Sequence, residues 1–143
     1  MTEAPKRVLF VCVHNAGRSQ MAEAFTNVLA REMGHPILGL SAGTEVGTRI
    51  NPLAVEVMRE LGISMDHQAP KPLTQELADS AARVITMGCG VDATACPARI
   101  HLSEDWGLDD PAGQPIEKVR EIRDQIRRRV EAMLRELVEE AKA

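Results

Sequence analysis

"RVLFVCVHNAGRSQMAEAF" spans residues 7–25 and decides the fold. Within it, residues 8–12 are a short, continuous apolar run of strand-forming residues, which predicts a strand buried on both faces. Apolar residues then recur at helical spacing, which predicts that a helix follows the strand. They are Met21, Ala24, Phe25, Val28 and Leu29, with Gly34 suited to the end of the helix. A strand that leads through a short loop into a helix is typical of a parallel sheet.

The rest of the chain repeats this alternation. Further strands are predicted at residues 37–40, 83–87 and 99–102. Asn51 and Thr74 are the predicted caps of two helices, the second reaching about residue 82, and Pro115 opens a long final helix. The first of these helices is predicted to bury Leu53, Val57, Met58 and Leu61, with Gly62 closing it. No hairpin turns separate the strands, so we predict a single α/β domain over residues 1–143, with a four-stranded parallel sheet flanked by helices.

Composition excludes several classes of function. The chain has 143 residues and a net charge of −4, which gives no electrostatic reason to expect nucleic acid. The longest apolar run is too short to span a bilayer, and no signal peptide opens the chain, so we expect a cytoplasmic protein. Its three cysteines, an odd number, argue against a static disulfide framework. We expect a monomer without a bound metal or cofactor.

The loop after the first strand carries the candidate chemistry. Cys12 ends the strand, and Arg18 and Ser19 follow at the start of the helix. The main-chain N–H groups of the intervening residues form a predicted anion-binding nest, to which the helix N-terminus adds positive potential. These residues are Val13, His14, Asn15, Ala16 and Gly17. The Arg18 fork suits two oxygens of a tetrahedral oxyanion, and the same features, with a hydrogen bond from Ser19, favour the nucleophilic thiolate of Cys12.

The motif "CVHNAGRS" resembles the phosphate loop of the low-molecular-weight protein tyrosine phosphatase fold. Together with "QMAEAF" and "SAGTE", it is similar to the arsenate reductase branch of that fold. The resemblance covers nearly the whole chain and implies a four-stranded parallel sheet flanked by helices. It also implies that Asn15 shapes the loop.

A general acid is expected in "EDWGLDDPAG", residues 104–113, which follows the last predicted strand and so lies at the same sheet edge as Cys12. The resemblance points to Asp110, which precedes a proline. Asp109 is the open alternative.

Two more thiols lie in "MGCGVDATACP", residues 87–97, where Cys89 follows the third strand and Cys96 comes seven residues later. A dithiol supplies the two electrons that convert arsenate to arsenite. Zinc binding and two unrelated buried thiols are the alternatives, and the first lacks a C-x2-C pair. The thioredoxin-coupled arsenate reductases carry a cysteine pair at this spacing.

The resemblance implies a relay in which Cys12 attacks arsenate, Cys89 attacks Cys12, and Cys96 moves the disulfide to Cys89. Thioredoxin then reopens that disulfide, with mycothiol and glutaredoxin as alternative donors. Phosphate and sulfate are expected to compete with arsenate. The rival functions are a tyrosine or aryl phosphatase, for which no aromatic residue follows Asp110-Pro111, and a non-enzymatic oxyanion binder.

Some members of the family bind potassium near the loop asparagine, through residues that correspond to Glu23 and Ser41 and an aspartate. The stretch "DHQAPKPL", residues 66–73, offers Pro70 and Lys71 in that neighbourhood. Two alternatives remain: the Lys71 ammonium replaces the cation beside Glu23, or it lies exposed in a loop.

Overall fold

The computed structural model describes residues 5–87 and 104–142. They form one parallel sheet with the strand order β2-β1-β3-β4. The strands are β1 (Lys6–Cys12), β2 (Ile37–Gly43), β3 (Arg83–Thr86) and β4 (Glu104–Asp105). The helices are α1 (Arg18–Met33), α2 (Pro52–Arg59), α3 (Gln75–Ser80) and α4 (Ile116–Lys142). The predicted α/β architecture is therefore confirmed.

Strand β1 is the centre of the sheet, paired with β2 on one side and β3 on the other. Its side chains alternate between two cores, as the pleat requires. Val8, Phe10 and Cys12 face a large core shared with α1, α2 and α4, whereas Leu9 and Val11 face a smaller one that includes α3 residues. Burial on both faces explains the unbroken apolar run. Cys12 thus lies at the carboxyl end of the central strand.

The helix ends follow local signals in the sequence. Gly34 ends α1 in the left-handed conformation, with a φ of 72°. The side chain of Asn51 accepts a hydrogen bond from the Leu53 N–H at the start of α2, and Thr74 caps α3 in the same way. The predicted end of α1 and both predicted caps are confirmed.

Helix α4 packs across α1 and α2 with a regular apolar stripe. Its buried apolar residues recur at helical spacing, namely Val119, Ile122, Ile126, Val130, Met133, Leu134 and Leu137. Among the described helices, α4 included, none is both long enough and apolar enough to cross a membrane.

The prediction that Leu61 lies on the buried face of α2 is wrong. The helix ends at Arg59, and Leu61 is 37% exposed. The chain turns through Gly62, whose φ is 76°, and Ile63 takes the inward position instead. The prediction failed because apolar residues continue at helical spacing beyond Arg59, where the helix itself ends.

The last strand also differs from its prediction. The predicted strand at 99–102 lies outside the described residues, and β4 is formed by Glu104 and Asp105, which were expected to belong to the following loop. These two residues pair with Ile85 and Thr86 of β3. Both are exposed at the sheet edge, so the pairing of main-chain groups defines this strand and its composition carries no strand signal.

Candidate active site

The loop between β1 and α1 is fixed in place by hydrogen bonds that its carbonyl groups accept from surrounding residues. Four of them accept hydrogen bonds from main-chain N–H groups of residues 44–51. The donor and acceptor pairs are Thr44 to Cys12 (3.1 Å), Glu45 to Val13 (2.8 Å), Gly47 to His14 (2.9 Å) and Asn51 to Ala16 (2.7 Å). The fifth carbonyl, that of Asn15, accepts a hydrogen bond from Gln20 Nε2 at 3.0 Å.

These bonds determine where the loop N–H groups point. No cis peptide bond occurs in the described part of the chain, and in a trans peptide the carbonyl and the following N–H point in opposite directions. With five successive carbonyls directed outward, the N–H groups of residues 13–17 are directed inward. They converge on a pocket of about 560 Å³ at the carboxyl end of β1. Such a ring of N–H groups is an anion-binding nest.

Asn15 is the residue on which the loop turns. It has a φ of 54° and is fully buried, and asparagine tolerates this left-handed conformation better than most residues. Its Oδ1 accepts hydrogen bonds from Gln20 Nε2 (3.0 Å) and from the Lys71 N–H (2.8 Å). Its Nδ2 donates to Ser19 Oγ at 2.8 Å. Ser19 Oγ therefore acts as an acceptor there, which leaves the hydroxyl proton for a second partner.

Arg18 joins the loop to the segments that follow β3 and β4. Its Nη1 donates to the carbonyls of Leu108 (2.7 Å) and Met87 (3.2 Å), and its Nη2 lies 3.7 Å from Cys12 Sγ. Its Nε is buried and has no hydrogen-bond partner among the described residues. A buried donor without an acceptor is unfavourable. The Nε and Nη2 edge thus has the geometry to bind two oxygens of an anion beside the thiol.

The segment that contains the two aspartates packs directly on the loop. A Cβ atom at Gly17 would lie 2.9 Å from Pro111 Cγ, so glycine permits this contact. Asp110 Oδ1 accepts a hydrogen bond from the Ala112 N–H, and its Oδ2 lies 3.9 Å from Arg18 Nη2. The Asp110 side chain is 61% exposed, and the residue lines the pocket.

Asp109 is oriented differently. Its Oδ2 pairs with Lys118 Nζ at 3.0 Å, on the first turn of α4. The hydrogen bond that Lys118 donates to Asp109 raises the pKa of the Lys118 ammonium above its ordinary value. Both aspartates line the pocket, but Asp109 is paired with Lys118 whereas Asp110 lies near Arg18, so the geometry favours Asp110 as the carboxyl group beside a bound oxyanion.

The structure brings most of the predicted site residues together. They are Cys12, Val13, His14, Asn15, Ala16, Gly17, Arg18, Ser19 and Asp110. The His14 side chain is exposed, and its Nδ1 lies 3.0 Å from the Glu45 carbonyl, to which it donates. This leaves His14 as a contributor of its main-chain N–H. Cys89 and Cys96 lie outside the described residues.

Lys71 lies beside Glu23, as the first of the two predicted alternatives requires. Its Nζ is 3.4 Å from Glu23 Oε1 and 3.2 Å from the Ala69 carbonyl. Ser41 Oγ donates to the same Glu23 oxygen at 2.7 Å. The ammonium thus provides positive charge beside the buried carboxylate, where the resemblance implies potassium in other members.

Sequence reasoning singled out Glu23 but missed Gln20 and Asn27, the two polar residues that share its row on α1. Gln20, Glu23 and Asn27 recur at helical spacing and hydrogen-bond to Asn15, Ser41 and Gly39 respectively. Polar residues that share one helix face at i, i+3 and i+7 were the available signal, because such a row indicates a buried polar partner.

This geometry defines a class of proteins that bind a tetrahedral oxyanion against a cysteine thiol. The chain belongs to the family described as low molecular weight phosphotyrosine protein phosphatase, which it matches over residues 7–143.

Within that family, the chain is similar to three proteins that are named as arsenate reductases. A glutaredoxin arsenate reductase of Synechocystis sp. is 38% identical over 130 residues, which cover 90% of this chain and 96% of the relative. A solved arsenate reductase in the phosphate binding state is 37% identical with a TM-score of 0.79, over 92% of this chain and 98% of that one. The thioredoxin-dependent arsenate reductase of Corynebacterium glutamicum is 35% identical with a TM-score of 0.74, over 95% of this chain and 63% of that one.

Proposed function

We propose that this protein reduces arsenate to arsenite, with Cys12 as the attacking thiol. The observation that carries the proposal is the Arg18 guanidinium, whose buried Nε has no hydrogen-bond partner among the described residues and whose Nη2 lies 3.7 Å from Cys12 Sγ, at the pocket that the loop lines. Arsenate and phosphate are tetrahedral oxyanions of similar shape and charge, so a site built for one binds the other. The arsenate reductases among the relatives support arsenate as the substrate.

In the first step the Cys12 thiolate attacks the arsenic atom and an oxygen leaves as water. Arg18 and the N–H groups of residues 13–17 hold the remaining oxygens, and Ser19 donates a hydrogen bond that stabilises the thiolate before attack. Asp110 supplies the proton to the leaving oxygen. The product is a Cys12–arsenic adduct with the arsenic still pentavalent.

The second and third steps transfer the electrons. Cys89 attacks the sulfur of Cys12, the arsenic–sulfur bond breaks with its electron pair left on arsenic, and arsenite departs. The two sulfurs are oxidised to a Cys12–Cys89 disulfide. Cys96 then attacks Cys89, which releases the Cys12 thiolate and forms a Cys89–Cys96 disulfide. The spacing of Cys89 and Cys96 in the sequence supports this assignment.

We assign thioredoxin as the donor that reduces the final disulfide, in a cytoplasmic reaction. A dithiol protein reduces a disulfide by exchange through a mixed disulfide, and a reducing compartment keeps all three thiols available. The name of the Corynebacterium relative supports thioredoxin, and the name of the Synechocystis relative makes glutaredoxin the donor to compare.

A phosphatase activity is the second candidate, because the family name and the loop both fit phosphate esters. Among the described residues that line the pocket none is aromatic apart from the His14 imidazole. A phosphotyrosine ring would therefore find no aromatic wall beside Ala112 or Leu108. We expect only weak hydrolysis of an aryl phosphate such as p-nitrophenyl phosphate.

A steady-state assay with purified reductant systems tests the proposal. Wild-type protein is expected to form arsenite over many turnovers with thioredoxin, thioredoxin reductase and NADPH, and slowly with glutaredoxin and glutathione. Cys12→Ser is expected to form none. Cys96→Ser is expected to form at most one arsenite per chain with thioredoxin. Sustained turnover by Cys96→Ser with thioredoxin would contradict the relay.

A further inference from the structure

The five outward carbonyls of the loop are not all held in the same way. Four are held by main-chain N–H groups, but the Asn15 carbonyl is held by the side chain of Gln20. Gln20 is fully buried, on the first turn of α1. Its Nε2 reaches the carbonyl of Asn15, the side-chain oxygen of Asn15 and the carbonyl of Ala69, each at 3.0 Å.

A second glutamine fixes the orientation of the first. Gln68 Nε2 donates to Gln20 Oε1 at 2.7 Å and to the Gln20 carbonyl at 3.1 Å. An amide group can rotate end for end, which would turn an oxygen toward the Asn15 carbonyl. Because Gln68 binds the oxygen end of Gln20, the nitrogen end is kept on Asn15.

This chain of amides has two consequences at the site. With the Asn15 carbonyl held outward, the Ala16 N–H points into the pocket. With Asn15 Oδ1 occupied by Gln20 and Lys71, the Asn15 Nδ2 is directed to Ser19 Oγ, whose proton is then free for the Cys12 thiolate. Both consequences favour a bound anion and an ionised thiol.

We propose that Gln20 and Gln68 are positioning residues that set the acidity of the Cys12 thiol and the oxyanion-binding form of the loop. The inference rests on the proposed function, in which Cys12 is the attacking thiol and Ser19 its donor. Neither glutamine lines the pocket, so both act through Asn15 and Ser19.

The test measures the rate of alkylation of Cys12 by iodoacetamide as a function of pH, with the modified residue identified by peptide mass. Protection by inorganic phosphate is titrated in the same assay. The variants are Gln20→Met and Gln68→Met, which keep the length of the side chain and remove its amide. Gln75→Met is the matched control, since Gln75 is exposed on α3 and bonds Asp79 there.

For Gln20→Met we expect the pH midpoint of alkylation to rise by about half a unit or more, and phosphate protection to need about fivefold more phosphate, the effect of losing one hydrogen bond. Gln68→Met is expected to shift both in the same direction by less, and Gln75→Met to shift neither. Circular dichroism and thermal melting establish which variants fold, and Gln68→Met carries the test if Gln20→Met does not.

Folded variants that melt at lower temperature but keep the wild-type pH midpoint and phosphate protection would overturn the inference, because a purely structural role predicts that result. No arsenate enters this assay. If the wild-type protein failed to reduce arsenate, the proposed function would fall while a shifted pH midpoint would still support the positioning role.

Discussion

The two sides of the Cys12 loop are supported in different ways. Residues 44–51 hold it with main-chain N–H groups, whereas the other side depends on the side chains of Asn15 and Gln20, which bond the Lys71 N–H, the Ala69 carbonyl and Gln68. A main-chain donor is present whatever the side chain, except in proline. The side held by main-chain groups therefore tolerates sequence change. On the side held by side chains, substitutions can alter the properties of the site.

The main-chain side follows from the sheet itself. Cys12 and Gly43 are partners in the parallel pairing of β1 and β2, and the pairing continues beyond the strands through the Thr44 N–H. A Cβ atom at Gly43 would lie 2.7 Å from the Val13 carbonyl oxygen, so glycine allows the two chains to run this close. The first side of the loop is thus an extension of the sheet.

The largest effect is expected where the two sides meet, at Asn15. Asn15→Ala removes hydrogen bonds to Ser19, Gln20 and Lys71, each worth about 1 kcal/mol. We expect phosphate affinity, measured by calorimetry, and kcat/KM for arsenate to fall roughly a hundredfold, the effect of about 3 kcal/mol.

The control for Asn15→Ala is Asn15→Gly, which accepts the φ of 54° without strain but loses the same side chain. If the hydrogen bonds carry the effect, the glycine variant is nearly as impaired as the alanine variant. Full activity in Asn15→Gly would mean that backbone conformation alone defines the loop.

A proline at Glu45 is expected to break the main-chain side. Glu45→Pro removes the N–H that binds the Val13 carbonyl at 2.8 Å, and leaves that carbonyl without its donor. We expect phosphate affinity to fall about tenfold. Glu45→Ala keeps the N–H and is expected to bind phosphate within about twofold of wild type, as surface substitutions usually do. Equal losses in the two variants would show that the Glu45 side chain matters and would undo the comparison.

The smallest effect is expected at Lys71, on the side-chain side. Its side chain is 41% exposed, so the ion pair with Glu23 is partly screened and is worth about 1 kcal/mol or less. Lys71→Met is expected to melt at a slightly lower temperature, and to recover stability in potassium chloride but not in sodium chloride. Lys71→Arg, the control, retains a cation. Equal stabilisation of the wild-type protein by potassium would contradict the view that Lys71 replaces the ion.

The same contrast explains what could be predicted from the sequence. The strand that ends at Cys12, the caps at Asn51 and Thr74 and the loop itself depend on residues that are close along the chain. Glu104 and Asp105 form a strand only because β3 lies beside them. Gln68 acts on Gln20 across 48 positions, a contact that no local pattern encodes.

The most direct test of the relay is a single turnover without external reductant. Fully reduced protein is mixed with one equivalent of arsenate, quenched, alkylated and mapped by peptide mass. The relay predicts one arsenite per chain, a Cys89–Cys96 disulfide and a free Cys12 thiol, with Cys12–Cys89 trapped when Cys96→Ser is used. Three free thiols and no arsenite, in a protein that hydrolyses p-nitrophenyl phosphate, would contradict the account and identify a phosphatase.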